Sequence, residues 1–460
     1  MPANADSLLS SILKEIKPTN EEIAIATDHA NEIINRLRQV VPSSVELRLV
    51  GSLAHGTNLR GTSDIDVFLL FDKKKSKKRI TQEGLDYAKK IVGKGDTIEI
   101  KYAEHPYARL YLGSMNIEAD IVPAYKIENI EEMATAVDRS PMHTEFVLKH
   151  LSDRQKDDVR LLKYFLQNHD LYGAEVFTGG FSGYLCELLV YTFGSFLEVL
   201  KFFANASLPI TINPKEERKH EPDASISKIF NSQFVVIDPV DPHRNVAAAV
   251  SIEALSKFVL LSRQFLEKPS RRSFYGYSFS HNLAKKGLKQ LAESTGMDMF
   301  LIETRLPDKS EDILWPQLRR VSEQIKSYVE SFGFSAPFVI PVVAENNAGL
   351  LLVFSLKQQL RARIVKGPSV FLAGPSSAFL ASHKKAIGLL IRGSDLGALE
   401  TNRFATVKDV LESVCLGKMR KRHKDILLYG AKLHVNSIPA QYVDLLYAEV
   451  IKALNRDLLS

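Results

Sequence analysis

Two short apolar–polar alternations, joined by a glycine-led loop, dictate most of what this chain can become. Val45-Glu46-Leu47-Arg48-Leu49-Val50 has the period-2 pattern of a half-buried strand. It runs into Gly51-Ser52. After the polar loop Thr57-Asn58-Leu59-Arg60-Gly61-Thr62-Ser63, a second strand is predicted over Asp64-Ile65-Asp66-Val67-Phe68-Leu69-Leu70-Phe71. Residues i and i+2 of a strand share a face. Asp64 and Asp66 therefore point one way, and Ile65, Val67, Leu69 and Phe71 point the other way into a core. Neighbouring carboxylates raise each other's pKa unless a cation sits between them. A hard divalent ion such as Mg2+ accepts such oxygens and keeps room for waters and substrate phosphates. The Gly-Ser turn adds backbone N–H groups and a hydroxyl suited to a phosphate. The bland alternative is a pair of turn-capping aspartates.

Gly-Ser, a loop and then Asp-x-Asp on a strand resembles the signature of the nucleotidyltransferase superfamily, which includes DNA polymerase beta, poly(A) polymerases and CCA-adding enzymes. That superfamily expects a third carboxylate on a neighbouring strand. Thr97 to Tyr102 reads as a strand and Ala103-Glu104-His105-Pro106-Tyr107 as its exit. The run from Asn116 to Ala124 alternates again, with Pro123 closing the strand. Asp120 lies in apolar company there and needs a partner to stay charged. It is the expected third metal ligand, and the group that draws the proton from an attacking hydroxyl in a two-metal displacement. An aspartate on a solvated sheet face is the alternative.

At 460 residues the chain should hold roughly two to four domains. Its 45% apolar and 25% charged residues are those of a soluble globular protein, and a net charge of +6 mildly favours an anionic partner. Cys186 and Cys415 stand far apart without metal-ligand spacing, which argues against a disulfide framework and a zinc site. No basic stretch followed by an apolar run opens the chain. The most apolar segment, Tyr184 to Ala204, is broken by Glu187, Glu198 and Lys201. A cytoplasmic protein without a membrane span is expected.

Helical periodicity marks other stretches. Thr19-Asn20-Glu21-Glu22 reads as a helix start, with Ile23, Ala26, Ile33, Ile34 and Leu37 as its apolar stripe. Lys73 to Arg79 reads as a solvated turn, with contact to RNA or triphosphate as the alternative. From Ser140 the period turns helical. Asp157 to Leu166 is an amphipathic helix that puts Arg160, Lys163 and Gln167 on one face. Phe181 to Leu189 opens a long buried helix, and Asp241-Pro242 reads as a helix start with Arg244 in its first turn. Pro269-Ser270-Arg271-Arg272-Ser273 is a basic hinge. Beyond it come a strand at Met299–Thr304, a helix at Pro316–Phe332, and a hairpin of Phe338–Ala344 with Gly349–Leu356.

Arg160-Leu161-Leu162-Lys163, Tyr172-Gly173-Ala174-Glu175 and Gly180-Phe181-Ser182-Gly183-Tyr184-Leu185-Cys186-Glu187-Leu188 closely resemble the central domain of the archaeal-type (class I) CCA-adding enzymes. So do Ala103-Glu104-His105-Pro106-Tyr107 and the run Asp238 to Ala247. The resemblance implies an α+β fold: a nucleotidyltransferase head with a mixed sheet over 1–138, a mainly helical central domain over 139–268, and an α+β RNA-binding region over 269–460. It implies addition of C, C and A to the 3′ end of tRNA from CTP and ATP, without a nucleic acid template and with release of pyrophosphate. Asp64, Asp66 and Asp120 would hold Mg2+; Ser52, Lys163 and Tyr172 would contact the triphosphate; Arg244 would face the base. His55 stands where many relatives carry Arg, which leaves its phosphate role open, and either His143 or Thr144 takes the family's histidine position. The implied partners are tRNA at its acceptor stem and 3′ end, CTP and ATP, with a homodimer left open. Arg361, Arg363 and Lys366, and the cluster Lys418, Arg420, Lys421, Arg422, His423 and Lys424, suit RNA phosphates or an ordinary solvated face. Two other functions stay open: a poly(A) or oligoadenylate polymerase on the same head, and an RNA-binding protein whose head is inactive.

Overall fold

In the computed structural model, which describes residues 4–62, 64–102, 106–113, 117–175, 178–215, 224–276, 281–307, 309, 311–344, 348–415, 428 and 430–453, the alternation read at 45–50 and 64–71 becomes an antiparallel pair. The chain divides into two units, one running to residue 276 and the other from 277 to 459.

The first unit begins with α1 (Asn4–Ile16) and α2 (Asn20–Val40). The expected start of α2 is a capping box: Thr19 Oγ1 accepts from the Glu22 amide at 3.1 Å, and Glu22 returns the bond to the Thr19 amide at 2.6 Å. There follow β1 (Glu46–Val50), the short helix α3 (Gly51–His55), β2 (Ile65–Phe71), α4 (Lys77–Lys90), β3 (Thr97–Tyr102), β4 (Pro106–Leu112) and β5 (Ile117–Tyr125). They form one sheet in the order β1-β2-β5-β4-β3. Only β2 and β5 pair in parallel; the other three ladders are antiparallel. Ile65, Val67, Leu69 and Phe71 enter a core with Ile33 and Leu37 of α2 and Ile80 and Ala88 of α4. The opposite face carries a smaller apolar cluster of Val50, Phe68, Leu70, Val122 and Ala124.

Two sequence expectations change here. Pro106 and Tyr107 do not leave a strand; they begin β4. Nor does Pro123 end β5, which continues to Tyr125. Pro123 lies opposite Leu69 of β2 and past Ala108↔Ile121, where pairing with β4 has stopped, so its missing N–H interrupts no ladder on that side. Its ring packs against Gly84 of α4, where even a methyl group would come within 2.9 Å of it.

The helical half of this unit contains α5 (Ser140–His150), α6 (Asp153–Asn168), α7 (Gly183–Phe193), α8 (Phe196–Ala204), β6 (Ile210–Ile212), α9 (Ala224–Phe230), β7 (Phe234–Val236), α10 (Ile252–Glu267) and α11 (Arg271–Tyr275). The long helix expected after Phe181 is two helices, because Gly194 turns left-handed at φ 92° and Ser195 caps the next one. Asp241-Pro242 starts no helix either. The Asp241 carboxylate is taken by Arg139 at 3.1 Å and by the His243 amide at 3.2 Å, and the chain stays in turns until Ser251 caps α10. Pro269–Ser273 is not a loose hinge but leads into α11, whose Phe274 is fully buried and touches Phe165, Phe196 and Phe265.

The second unit comprises α12 (His281–Thr295), β8 (Met297–Arg305), α13 (Glu311–Ser331), β9 (Phe338–Ala344), β10 (Ala348–Leu356), β11 (Ala362–Ser369), α14 (Ala373–Ser382), β12 (Gly388–Arg392), β13 (Asp395–Thr401), α15 (Val407–Cys415), β14 (Lys432–Val435) and α16 (Val443–Ala453). Its sheets are antiparallel, ordered β14-β8-β10-β9 and β11-β13-β12. One face of the larger sheet packs on α13 and α15, the other on α12 and α16. The predicted hairpin is β9 with β10; its turn, 345–347, lies outside the described residues, as does the basic cluster 418–424. Pro316 lies inside α13 rather than at its start, because the turn before it is held by Leu314 in the core. Of the other basic cluster, Arg363 donates to the Ser331 carbonyl and covers the Phe332 ring, whereas Arg361 and Lys366 are exposed. No described helix is long and apolar enough to cross a membrane.

Candidate active site

Register brings two of the candidate carboxylates together. Asp66 of β2 and Asp120 of β5 are direct partners in the parallel ladder, on the face opposite the main core. Burial, together with the charges of Asp120 and Asp64, pushes the Asp66 carboxyl up to about 7. Asp120 has a partner: Arg109, its neighbour on β4, donates two hydrogen bonds of 2.7 Å, one to each carboxylate oxygen. This bond holds the guanidinium above even its ordinary high range. Asp64 is exposed just before β2 and shares a small crevice with Asp66, Arg109, Glu118 and Asp120.

The loop ahead of these aspartates comes very close. A Cβ on Gly51 would sit 2.3 Å from Asp66 Oδ2, and the residue's φ is +78°, so both space and backbone require glycine. Ser52 follows it into α3 and faces a cavity of about 410 Å3.

Helices supply the rest of the cavity. Lys163 of α6 is buried, its Nζ 2.9 Å from Thr57 Oγ1 and 3.3 Å from Glu187 Oε1. Tyr172 reaches the same place: a Cβ on Gly183, at the start of α7, would lie 3.1 Å from its hydroxyl and 3.6 Å from Lys163 Nζ. Burial raises the Tyr172 pKa, so the phenol stays neutral and can donate. His55 lines the cavity with both ring nitrogens engaged, Nδ1 at 3.0 Å from each oxygen of Glu187 and Nε2 at 2.9 Å from Thr144 Oγ1. Burial alone would raise Glu187. The charges of Lys163 and His55 and the hydrogen bonds from His55 and Thr57 outweigh it and bring the carboxyl down to about 2.

A second buried carboxylate, Asp238, organises the neighbouring wall. His143 Nε2 donates to it at 2.8 Å, Arg244 Nη1 at 3.0 Å and the Tyr184 hydroxyl at 3.1 Å. His143 also stacks on Tyr184 with centroids 4.0 Å apart. Burial would raise Asp238, but its bond to His143, the Val240 amide and the Arg244 charge bring it to about 2. Burial holds His143 below its ordinary value despite that carboxylate.

Among the described residues, no three His, Cys, Asp or Glu side chains are already gathered around a single point that an ion could fill. Even so, the aspartates at the sheet end fit a hard divalent cation: the donors are oxygens, they repel one another, and half-buried Asp66 has no hydrogen bond from any described residue.

Comparison with known proteins assigns the chain. Its residues 30–152 match a nucleotidyltransferase domain, 157–275 the second domain of tRNA nucleotidyltransferase, and 295–424 the C-terminal domain of CCA-adding enzyme. The CCA-adding enzyme of Methanocaldococcus jannaschii is 33% identical over 425 residues, covering 90% of this chain and 92% of that protein. The chain belongs to the CCA-adding enzyme family. The CCA-adding enzyme of Pyrococcus abyssi is 34% identical over 443 residues, covering 94% and 95%. A solved structure of a cytoplasmic RNA terminal U-transferase aligns with a TM-score of 0.47 at 14% identity, over 59% of this chain and 96% of that one.

In this member of the CCA-adding enzyme family, Ser52, His55, Asp66 and Asp120 line the cavity from the sheet side. His143, Thr144, Lys163 and Tyr172 line it from the helices. Asp64 lies in the adjoining crevice, and Arg244 connects to the cavity through Asp238. Arg109, Glu187 and Asp238 escaped the sequence reading. Glu187 carried a signal, as a lone charge within Leu185-Cys186-Glu187-Leu188-Leu189; so did Arg109, within the alternation of Tyr107 to Leu112.

Proposed function

We propose that this chain adds C, C and A to the 3′ end of tRNA, using CTP and ATP and releasing pyrophosphate. One observation supports the reading: Asp66 and Asp120 line, at the end of one sheet, a cavity whose helical wall holds Lys163 and Tyr172, with Asp64 in the adjoining crevice, in a chain that matches CCA-adding enzymes over nine-tenths of its length. Asp64, Asp66 and Asp120 would hold Mg2+, which when bound neutralises phosphate charge and activates the attacking oxygen. Ser52 and the Tyr172 hydroxyl donate to triphosphate oxygens, and Lys163 adds a point charge. The Asp120 carboxylate, fixed in orientation by Arg109, accepts the proton of the tRNA 3′ hydroxyl as that oxygen attacks the α-phosphate. Arg244, steadied by Asp238, presents a planar fork of donors to the base, with His143 and Tyr184 beside it. His55 acts on phosphate only through Glu187, since both its nitrogens are taken.

On this reading residues 1–138 form the catalytic head, the helical half that follows completes the nucleotide pocket as far as residue 276 rather than 268, and the second unit grips the tRNA. The acceptor stem is recognised by shape and backbone rather than by base edges. The test is incorporation of labelled CTP and ATP, separately and together, into tRNA transcripts that end before the first C, after one C and after two. Ordered addition that stops after A is expected. ATP-only tailing of any RNA would establish a poly(A) polymerase instead, and no incorporation with any transcript would overturn the enzymatic reading.

A further inference from the structure

The residues placed at the phosphates come from two separate stretches of chain, 51–57 and 163–183. Within each, the groups are held by local bonds; between them, one buried carboxylate does most of the joining. Glu187 of α7 is 2% exposed. It accepts from His55 of α3 at 3.0 Å on both oxygens, from the Thr57 hydroxyl at 2.6 Å, and from Lys163 of α6 at 3.3 Å. Thr57 closes the circuit by accepting from Lys163 at 2.9 Å. Arg160, one turn before Lys163 on α6, reinforces the same joint by donating to the Gly56 and Asn58 carbonyls at 2.6 and 2.9 Å.

We propose that Glu187 is a positioning residue that keeps Lys163 charged and aimed at the triphosphate while pinning the Ser52-bearing segment to helices α6 and α7. The proposal rests on the reading of Lys163 as a phosphate contact. A buried ammonium without an anion beside it loses its proton more readily, because burial penalises the charged form. Among the described residues, the titratable groups beside Lys163 are His55 from α3, Tyr172 from the loop after α6, and Cys186 and Glu187 from α7, with Asp66 of β2, Asp120 of β5 and His143 of α5 elsewhere on the wall of the same cavity. Burial pushes the Cys186 thiol up to about 12 and raises the Tyr172 phenol as well, so both are neutral near pH 7. Among these groups Glu187 is the carboxylate that hydrogen-bonds the lysine.

The test compares CTP binding by titration calorimetry, with Mg2+ and without tRNA, at pH 6.5 and 8.5. The readout is the Kd of each variant divided by that of the wild type at the same pH, which cancels the titration of Asp66 and of CTP itself. Glu187→Gln, which keeps the shape and the acceptor oxygen but removes the charge, should show a ratio about tenfold larger at pH 8.5 than at 6.5. A loss equal at both pH values, or no loss, would overturn the proposal. Lys163→Met separates the two readings. Wild-type CTP affinity in Lys163→Met would remove Lys163 from the phosphate site, whereas weak binding there with normal Glu187→Gln would sink the positioning role alone. Should Glu187→Gln fail to fold, Thr57→Val preserves every charge and removes the hydroxyl joining Lys163 to Glu187. It should weaken CTP binding about threefold at both pH values, and an unchanged Kd would overturn the proposal.

Discussion

Asp66 and Glu187 are both carboxylates on the wall of one cavity, the first half-buried and the second fully buried, and they differ in what faces them. Glu187 has three side chains of its own protein turned towards it and sits at about 2. Asp66 has two carboxylates for neighbours and sits at about 7. A buried charge is tolerated when it is paired and hydrogen-bonded, and costly when it is not. Where the chain itself supplies the partners, the carboxylate is part of the scaffold. Where it withholds them, the partner must come from outside, and the site is built for a ligand.

The largest expected effect lies on the Asp66 side. Asp66→Asn should cut CTP incorporation by on the order of a thousandfold or more, about 4 kcal/mol in the barrier. The urea midpoint should hold or rise, because repulsion with Asp64 and Asp120 is removed. A collapsed midpoint would break the comparison by making Asp66 a scaffold residue too.

A smaller effect sharpens the Glu187 side. Glu187 and Asp238 both lie at about 2 in the folded protein, below the ordinary values of about 4.3 and 3.9. Their folded pKa values are depressed, so their contribution to stability is fully present above the ordinary values. It is lost as pH falls towards and through about 2. Urea unfolding followed from pH 7 down to 2 should show no loss from these groups until roughly pH 5, and then a fall on the order of a few kcal/mol. The same acid limb should appear in Asp66→Asn, whose substitution touches neither group.

The smallest effect belongs to the frame around both. The Ser182 hydroxyl accepts from the Leu185 amide at 3.2 Å and caps the helix that carries Glu187. Ser182→Ala should cost about 1 kcal/mol of stability in the same urea assay and leave the Kd for CTP unchanged.

What the sequence showed of this site depended on distance along the chain. Asp64 and Asp66 stand two apart, so their proximity could be read directly, although only Asp66 lies within β2. The Thr19 capping box spans three residues and could be read outright. Arg109 and Asp120 required knowing that a strand begins at Pro106, which the proline concealed. Glu187 meets His55 across 132 positions and Asp238 meets His143 across 95, and no local pattern encodes either pairing. The misplaced helix start at Asp241 has the same origin, since a carboxylate that looked like a cap is claimed by the remote Arg139. Pro123 and Pro316 misled in a simpler way. Each breaks its element by local rules, and each is tolerated because of packing that only the fold reveals.

The parallel register of β2 and β5 has a practical consequence. Asp66 faces Asp120 only when the two strands pair as Ile65↔Ala119 through Phe71↔Tyr125. A slip of one residue on β2 would exchange its faces, sending Asp66 into the oil of the main core and Ile65 and Val67 towards the cavity. Compact but misaligned chains would therefore keep their helices, and much of their circular dichroism, while losing all turnover. For this protein, regain of nucleotide incorporation during refolding is a clock for strand alignment rather than for collapse.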